Sequence, residues 1–267
     1  MEGFNNRTAI FLAAVCSQTY AQWNNPDGAF VVPRPFEFVG EIRAKSLLGE
    51  SEKFGFVLQS DTHAIIAFRG TSSTSDWASD ALVSQVKFKF VRNAGMTHRG
   101  FTDIYSGARA GISSCLRRIS PDKTLYVTGH SLGGALATLC ALDSAAGTKF
   151  RHPVVYTYAA PRAGDPDFAK AYDGKIARSF RVCNSFDVVT HLPPSTLTMP
   201  KTDRTFYYQH VRRSEQLSFH NGSVAGNHGI GSYYAELAAR DPLFALQLSE
   251  YNPGFCPGTF TPPPLDP

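Results

Sequence analysis

The 267 residues carry 43% hydrophobic and 12% aromatic side chains, enough for one large α/β domain with a full core and too apolar for a disordered chain. The formal charge is only +4, and lysines and arginines alternate with acidic or apolar residues, which argues against a nucleic-acid partner. No apolar stretch approaches the length of a bilayer-spanning helix, so transmembrane anchoring is not expected. At the start, Arg7 followed by the apolar run 8–15 has the look of a short signal-peptide core. Glu2 is acidic, however, and helical spacing continues to Trp23 without a clean cleavage site. This segment is read as the first core helix and the protein as cytoplasmic, with secretion as the weaker alternative. Strands over Phe36–Arg43 and Phe54–Gln59, separated by Leu48-Gly49-Glu50-Ser51, predict a β-hairpin. Ala64–Phe68 is apolar throughout, as a strand covered on both faces should be.

A polar loop, Arg69-Gly70-Thr71-Ser72-Ser73, follows that strand. The serine-rich segment 72–83, with Trp77 among aliphatics, reads either as a short amphipathic flap or as a surface helix whose tryptophan packs on the core. Next come an amphipathic helix over Phe101–Ile119, an apolar lead-in Thr124–Val127, and a helix-forming run Ala135–Ala146. A buried strand (Pro153–Tyr158), a short helix (Phe168–Tyr172), a strand (Ala177–Cys183), a last strand (Thr205–Val211) and a last helix (Gly231–Ala239) complete the pattern. Strands alternating with helices predict an α/β fold with a mostly parallel sheet and helices on both faces. Residues 1–255 read as a single domain and 256–267 as a proline-rich, extended tail. Five scattered cysteines show neither C-x-x-C nor metal-ligand spacing, which fits a reducing compartment.

Between the strand at 124–127 and the helix after it stands Gly129-His130-Ser131-Leu132-Gly133-Gly134. Strand, glycine-flanked turn and helix is the context that a nucleophile elbow requires, so Ser131 is the candidate nucleophile. The alternative, a serine that only caps the helix, leaves the apolar lead-in unexplained. A serine hydroxyl needs a positioned base and an orienting carboxylate, expected downstream in the order acid, histidine. Asp187, in the loop after the strand ending near Cys183, fits best, and Asp165 is the runner-up, with a helix-cap role as its simpler reading. His152 precedes the acid and reads as a surface residue, and His191 and His210 as structural. His220 and His228 share one glycine- and asparagine-rich loop, and order and spacing do not separate them. Local chemistry favours His228, next to Gly229 and nearer the helix start. The oxyanion donors are expected at Leu132 N–H and in the Gly70-Thr71 loop. None of this chemistry calls for a metal or cofactor.

Taken together, Phe68-Arg69-Gly70-Thr71, Asp76-Trp77, His98-Arg99-Gly100-Phe101, the GHSLGG segment, Tyr158–Asp165 and Asn184–Pro193 resemble the fungal-type, or class 3, triacylglycerol lipases of the α/β-hydrolase superfamily. The resemblance runs over roughly residues 60–235. It implies an α/β-hydrolase fold with a short lid over the site, Ser131 as nucleophile, Asp187 as acid, His228 as base and Thr71 as oxyanion residue. It further implies a lid around Trp77 (Ser73, Asp76, Trp77, Asp80, Leu82), with Asp80 supporting the oxyanion residue. The implied substrate is a lipid ester met at a lipid–water interface. Phospholipase A1 and feruloyl-type esterase are alternatives with the same machinery; a lipase-like interaction protein without turnover is a second class, disfavoured by the complete Ser, Asp and His set. Lacking a clear signal, pro-segment and paired cysteines, the chain is more similar to unsecreted bacterial members. Oligomeric state is left open.

Overall fold

The computed structural model describes residues 3–46, 49–71, 84–199 and 202–258. The expected flap over 72–83 and the tail beyond residue 258 lie outside them. Helix α1 (Asn6–Asn24) is the apolar N-terminal run; the Asn5 side chain caps it by accepting from Thr8 N–H at 2.9 Å. Ala9 through Cys16 lie almost wholly buried, so the signal-like segment is a core helix. Strands β1 (Glu37–Lys45) and β2 (Ser51–Gln59) form the expected antiparallel hairpin, and β3 (His63–Phe68) pairs with β2. Short β4 (Gln85–Lys87) and β5 (Met96–His98) make a separate ribbon before α2 (Arg99–Arg117). Then β6 (Thr124–His130), α3 (Leu132–Gly147), β7 (Val154–Tyr158), α4 (Pro166–Lys175) and β8 (Arg178–Asn184) alternate.

The sheet order is β1-β2-β3-β6-β7-β8 and then a final strand, β11 (Ser214–Leu217), with every pair from β3 onward parallel. The small ribbon of β9 (Thr196–Thr198) and β10 (Thr205–Tyr207) stands apart from it. This corrects the expected last strand. Thr205–Val211 contributes that ribbon and a single bridge from Gln209 to Gly164, His210 lies outside any strand, and the sheet ends on β11 instead. Ser214-Glu215-Gln216-Leu217 buries only Leu217, so an edge strand of this kind has no apolar run to betray it. Helices α5 (Val224–His228), α6 (Ile230–Ala239) and α7 (Pro242–Tyr251) follow. The expected last helix is therefore not last. Asp241-Pro242, which has the look of a break, starts α7: Asp241 caps it and Pro242 occupies its first turn.

Strand β3 shows how both faces are covered. Ala64, Ile66 and Phe68 join a core with Ile104, Leu132 and Leu136, on the α2 and α3 side. Ile65 and Ala67 join a second core with Ile10, Ala14 and Leu237, on the α1 and α6 side. Burying each isoleucine contributes about 1.5–3 kcal/mol. Because the inner strands run parallel, β3, β6 and β8 end at one edge: Phe68 pairs with Gly129, and Asn184 with Leu217. Loops carrying chemistry gather beyond that carboxyl edge.

Candidate active site

Ser131 sits between β6 and α3 with φ 58° and ψ −131°, a backbone region that a side chain adopts only under constraint. The constraint comes from close packing of the glycines. A Cβ on Gly129 would lie 2.1 Å from the Gly133 oxygen, one on Gly133 2.4 Å from the Phe68 oxygen, and one on Gly134 2.6 Å from Ala160 Cβ. Helix and strand thus approach at a separation only glycine permits. Leu132 opens α3, so its N–H has no intrahelical acceptor and points from the positive end of the helix.

Asp187 follows β8 and is buried. Three donors converge on its carboxylate: Val189 N–H at 3.0 Å, Tyr233 Oη–H at 2.7 Å and His228 Nδ1 at 2.9 and 3.1 Å. A carboxylate only accepts here, so Nδ1 of His228 carries the proton and Nε2 is left as an acceptor. That Nε2 lies 2.8 Å from Ser131 Oγ. Asn184 ties the acid loop to the histidine loop: its Nδ2 donates to Asn227 O at 3.1 Å, and its Oδ1 accepts from Phe219 N–H at 3.1 Å. Asn184 N–H in turn donates to Tyr233 Oη at 2.9 Å. Burial, then the adjacent Asp187, push the Tyr233 phenol well up, so it remains a proton donor.

Ser131, Asp187 and His228, expected from sequence, therefore meet. His220 is exposed, edge-on to the Phe186 ring at 5.1 Å, and has no contact with Ser131. Asp165 caps α4, accepting from Phe168 N–H at 2.8 Å and Met96 N–H at 3.0 Å, which is the simpler reading given above. His210 donates to Thr190 O at 2.7 Å and so braces the acid loop from outside the reacting set. Gly70 packs against the nucleophile: a Cβ there would be 2.8 Å from Ser131 Cβ. Its N–H donates to Tyr20 Oη at 2.9 Å, and Thr71 is the next residue of that loop. Ser73, Asp76, Trp77, Asp80 and Leu82 lie outside the described residues.

Sequence reasoning missed the supporting side chains. Tyr20 and Tyr233 carry no motif of their own, and Arg69 and Asn184 lie within the Phe68–Thr71 and Asn184–Pro193 segments without any sign there of these contacts. Arg69 is almost fully buried. It donates from Nε to Lys53 O and from Nη1 to Gly70 O, both at 2.6 Å, and pairs with Glu52. Its guanidinium also lies over Trp23 and Phe54, at 4.3 and 4.5 Å from the ring centres.

A parallel sheet whose carboxyl edge presents a serine on a strained elbow, a histidine and a buried aspartate is the arrangement of the α/β-hydrolase class. The chain belongs to the class 3 lipase family: residues 65–197 match the family model described as Lipase (class 3). A lipase of Rhizomucor miehei is 37% identical over 136 residues, covering 49% of this chain and 37% of that protein. Phospholipase A1-II 4 of Oryza sativa subsp. japonica is 32% identical over 195 residues, covering 62% and 49%. The chain thus spans less than half the length of either. The solved Rhizomucor miehei triacylglyceride lipase superposes with a TM-score of 0.58 at 26% identity, over 79% of this chain and 77% of that one.

Proposed function

We propose that this chain is a serine carboxylic-ester hydrolase acting on acylglycerols or similar lipid esters, in the manner of a triacylglycerol lipase. The contact chain from Ser131 Oγ through His228 to Asp187 carries this reading. Ser131 Oγ attacks the ester carbonyl as His228 Nε2 takes its proton, and Asp187 holds the imidazole in the required tautomer and stabilises the imidazolium. The oxyanion accepts from Leu132 N–H and from Thr71; losing one such donor costs on the order of 3 kcal/mol of transition-state stabilisation. His228 then protonates the leaving alcohol, and water, activated by the same histidine, hydrolyses the acyl-enzyme.

The test is hydrolysis of p-nitrophenyl esters from acetate to palmitate, and of emulsified triacylglycerol against phosphatidylcholine. Wild type should favour long chains. Ser131→Ala and His228→Ala should each lose on the order of 10³-fold or more in kcat, and His220→Ala should keep its rate. Activity surviving in Ser131→Ala removes the nucleophile assignment; loss in His220→Ala moves the base. The rice relative, named a phospholipase A1, favours a second substrate reading, which faster turnover of phosphatidylcholine than of triacylglycerol would establish.

A further inference from the structure

Helix α1 reaches the reacting groups through its last turns. Tyr20 and Trp23, three residues apart and so neighbours on the helix surface, face the loop after β3. Trp23 stacks on Arg69, and Tyr20 Oη accepts from Gly70 N–H. Since Arg69 Nη1 donates to Gly70 O, both peptide groups of Gly70 are held. Tyr20 Oη also lies 2.7 Å from His130 Nδ1, and His130 Nε2 lies 2.7 Å from the backbone oxygen of His228.

Proton counting leaves one arrangement. The His228 carbonyl can only accept, so Nε2 of His130 is the protonated nitrogen. In the neutral ring Nδ1 must then accept, so the single Tyr20 hydroxyl proton points at it, and the free side of the Tyr20 oxygen takes Gly70 N–H. All the bonds run one way: Gly70 N–H to Tyr20, Tyr20 O–H to His130, His130 N–H to the His228 carbonyl. The His130 ring is wedged in place, with ring centres 5.7 Å from Tyr20, 4.8 Å from His228 and 6.4 Å from Tyr233. Burial, and secondarily the neighbouring His228, hold its pKa down to about 3, so the ring stays neutral at working pH.

We infer that Tyr20 and His130 are positioning residues, a one-way hydrogen-bond relay that sets the distance between the oxyanion loop and the base His228. This rests on the ester-hydrolase reading above. The relay's hydrogen bonds run from Gly70 N–H to the His228 backbone oxygen, and none of them ends on Ser131 Oγ, His228 Nε2 or the Asp187 carboxylate. It joins the backbone beside Thr71 to the backbone of His228, two groups that must lie on opposite sides of one carbonyl carbon. It also explains why a side chain of the N-terminal helix points into the catalytic edge of the sheet.

Tyr20→Phe removes one oxygen and leaves the ring in place. With Gly70 N–H and His130 Nδ1 both losing their partner, kcat should fall about 10- to 100-fold, the penalty of a misplacement on the order of 1 Å. KM should stay within about twofold, and fluorophosphonate labelling of Ser131 should slow in parallel with kcat. His130→Gln, which can accept and donate along the same line, should retain more kcat than His130→Leu, and this comparison decides the matter if Tyr20→Phe folds poorly. Imidazole nitrogen NMR should show wild-type His130 as the Nε2–H tautomer, with the Nδ1 resonance moving in Tyr20→Phe. Wild-type kcat in Tyr20→Phe, or equal losses in His130→Gln and His130→Leu, overturns the relay alone, provided Ser131→Ala is dead. Wild-type protein that neither turns over esters nor labels at Ser131 overturns both the relay and the reading it rests on.

Discussion

Asp187 gathers donors from three different segments, and each constrains a different degree of freedom. Val189 N–H fixes the carboxylate relative to its own loop, Tyr233 fixes it relative to α6, and His228 uses what remains. Tyr233 is fully buried, and its hydroxyl both donates to Asp187 and accepts from Asn184 N–H. Removing that oxygen strands a buried amide and takes one donor from a charged acceptor. Tyr233→Phe is therefore expected to lower the unfolding free energy by about 1–3 kcal/mol and kcat by about tenfold, since His228 still binds the acid. Urea unfolding and steady-state kinetics on one ester measure the two effects separately; unchanged stability would show that the Asn184 amide finds another acceptor.

Among the elements, α2 and α3 are locked together behind the elbow. Asp143 on α3 accepts from Tyr105 Oη–H at 2.6 Å and from Arg109 Nε at 2.6 Å and Nη2 at 3.2 Å, both partners being on α2. Asp143 is buried while Arg109 is partly exposed, so the ion pair is screened on one side and the Tyr105 bond is fully inside. Asp143→Ala leaves the Tyr105 hydroxyl buried without its acceptor and should cost about 1–3 kcal/mol of stability. The cluster lies near the C-terminal end of α3, well beyond Leu132, so kcat should be unchanged at temperatures where the protein is folded. A thermal melt beside an activity assay checks both halves. A drop in kcat with intact folding would mean that α3 moves the elbow.

For the molecule as a whole, two histidines, the buried His130 and the half-buried His210, make stability depend on acid. Burial, with His228 nearby, holds His130 down to about 3; burial, with Arg181 nearby, does the same to His210. In the unfolded chain both titrate near 6.5, so between about pH 6.5 and 3 the unfolded state binds up to two more protons than the folded one. More protons on the unfolded side mean that stability rises with pH across this window. It should be complete above about pH 6.5 and fall steadily as pH drops toward 3. Urea unfolding at several pH values between 7 and 4 should show that slope, and His210→Asn should make it shallower. An equal slope in that variant would assign the dependence to carboxylates instead.

Much of this protein was legible before folding is considered. The all-apolar strand Ala64–Phe68, the glycine-flanked Ser131 and the acid in the loop after β8 are local patterns, each dictated by backbone sterics or by burial on two faces. Glycines at 129, 133 and 134 announce a close approach whatever lies opposite. The edge strand β11 and the helix α7 escaped notice because one buries a single side chain and the other begins at a proline. The choice of His228 over His220 was weighted by local chemistry but decided in space, by which imidazole faces both Ser131 and Asp187. Tyr20, His130, Tyr233 and Asn184 act through hydrogen bonds between segments far apart in the chain. Such bonds depend on which side chains the packed sheet and helices bring within 3 Å of each other. Periodicity and turn chemistry encode the elements, whereas the donors and acceptors shared between elements exist only once those elements have packed.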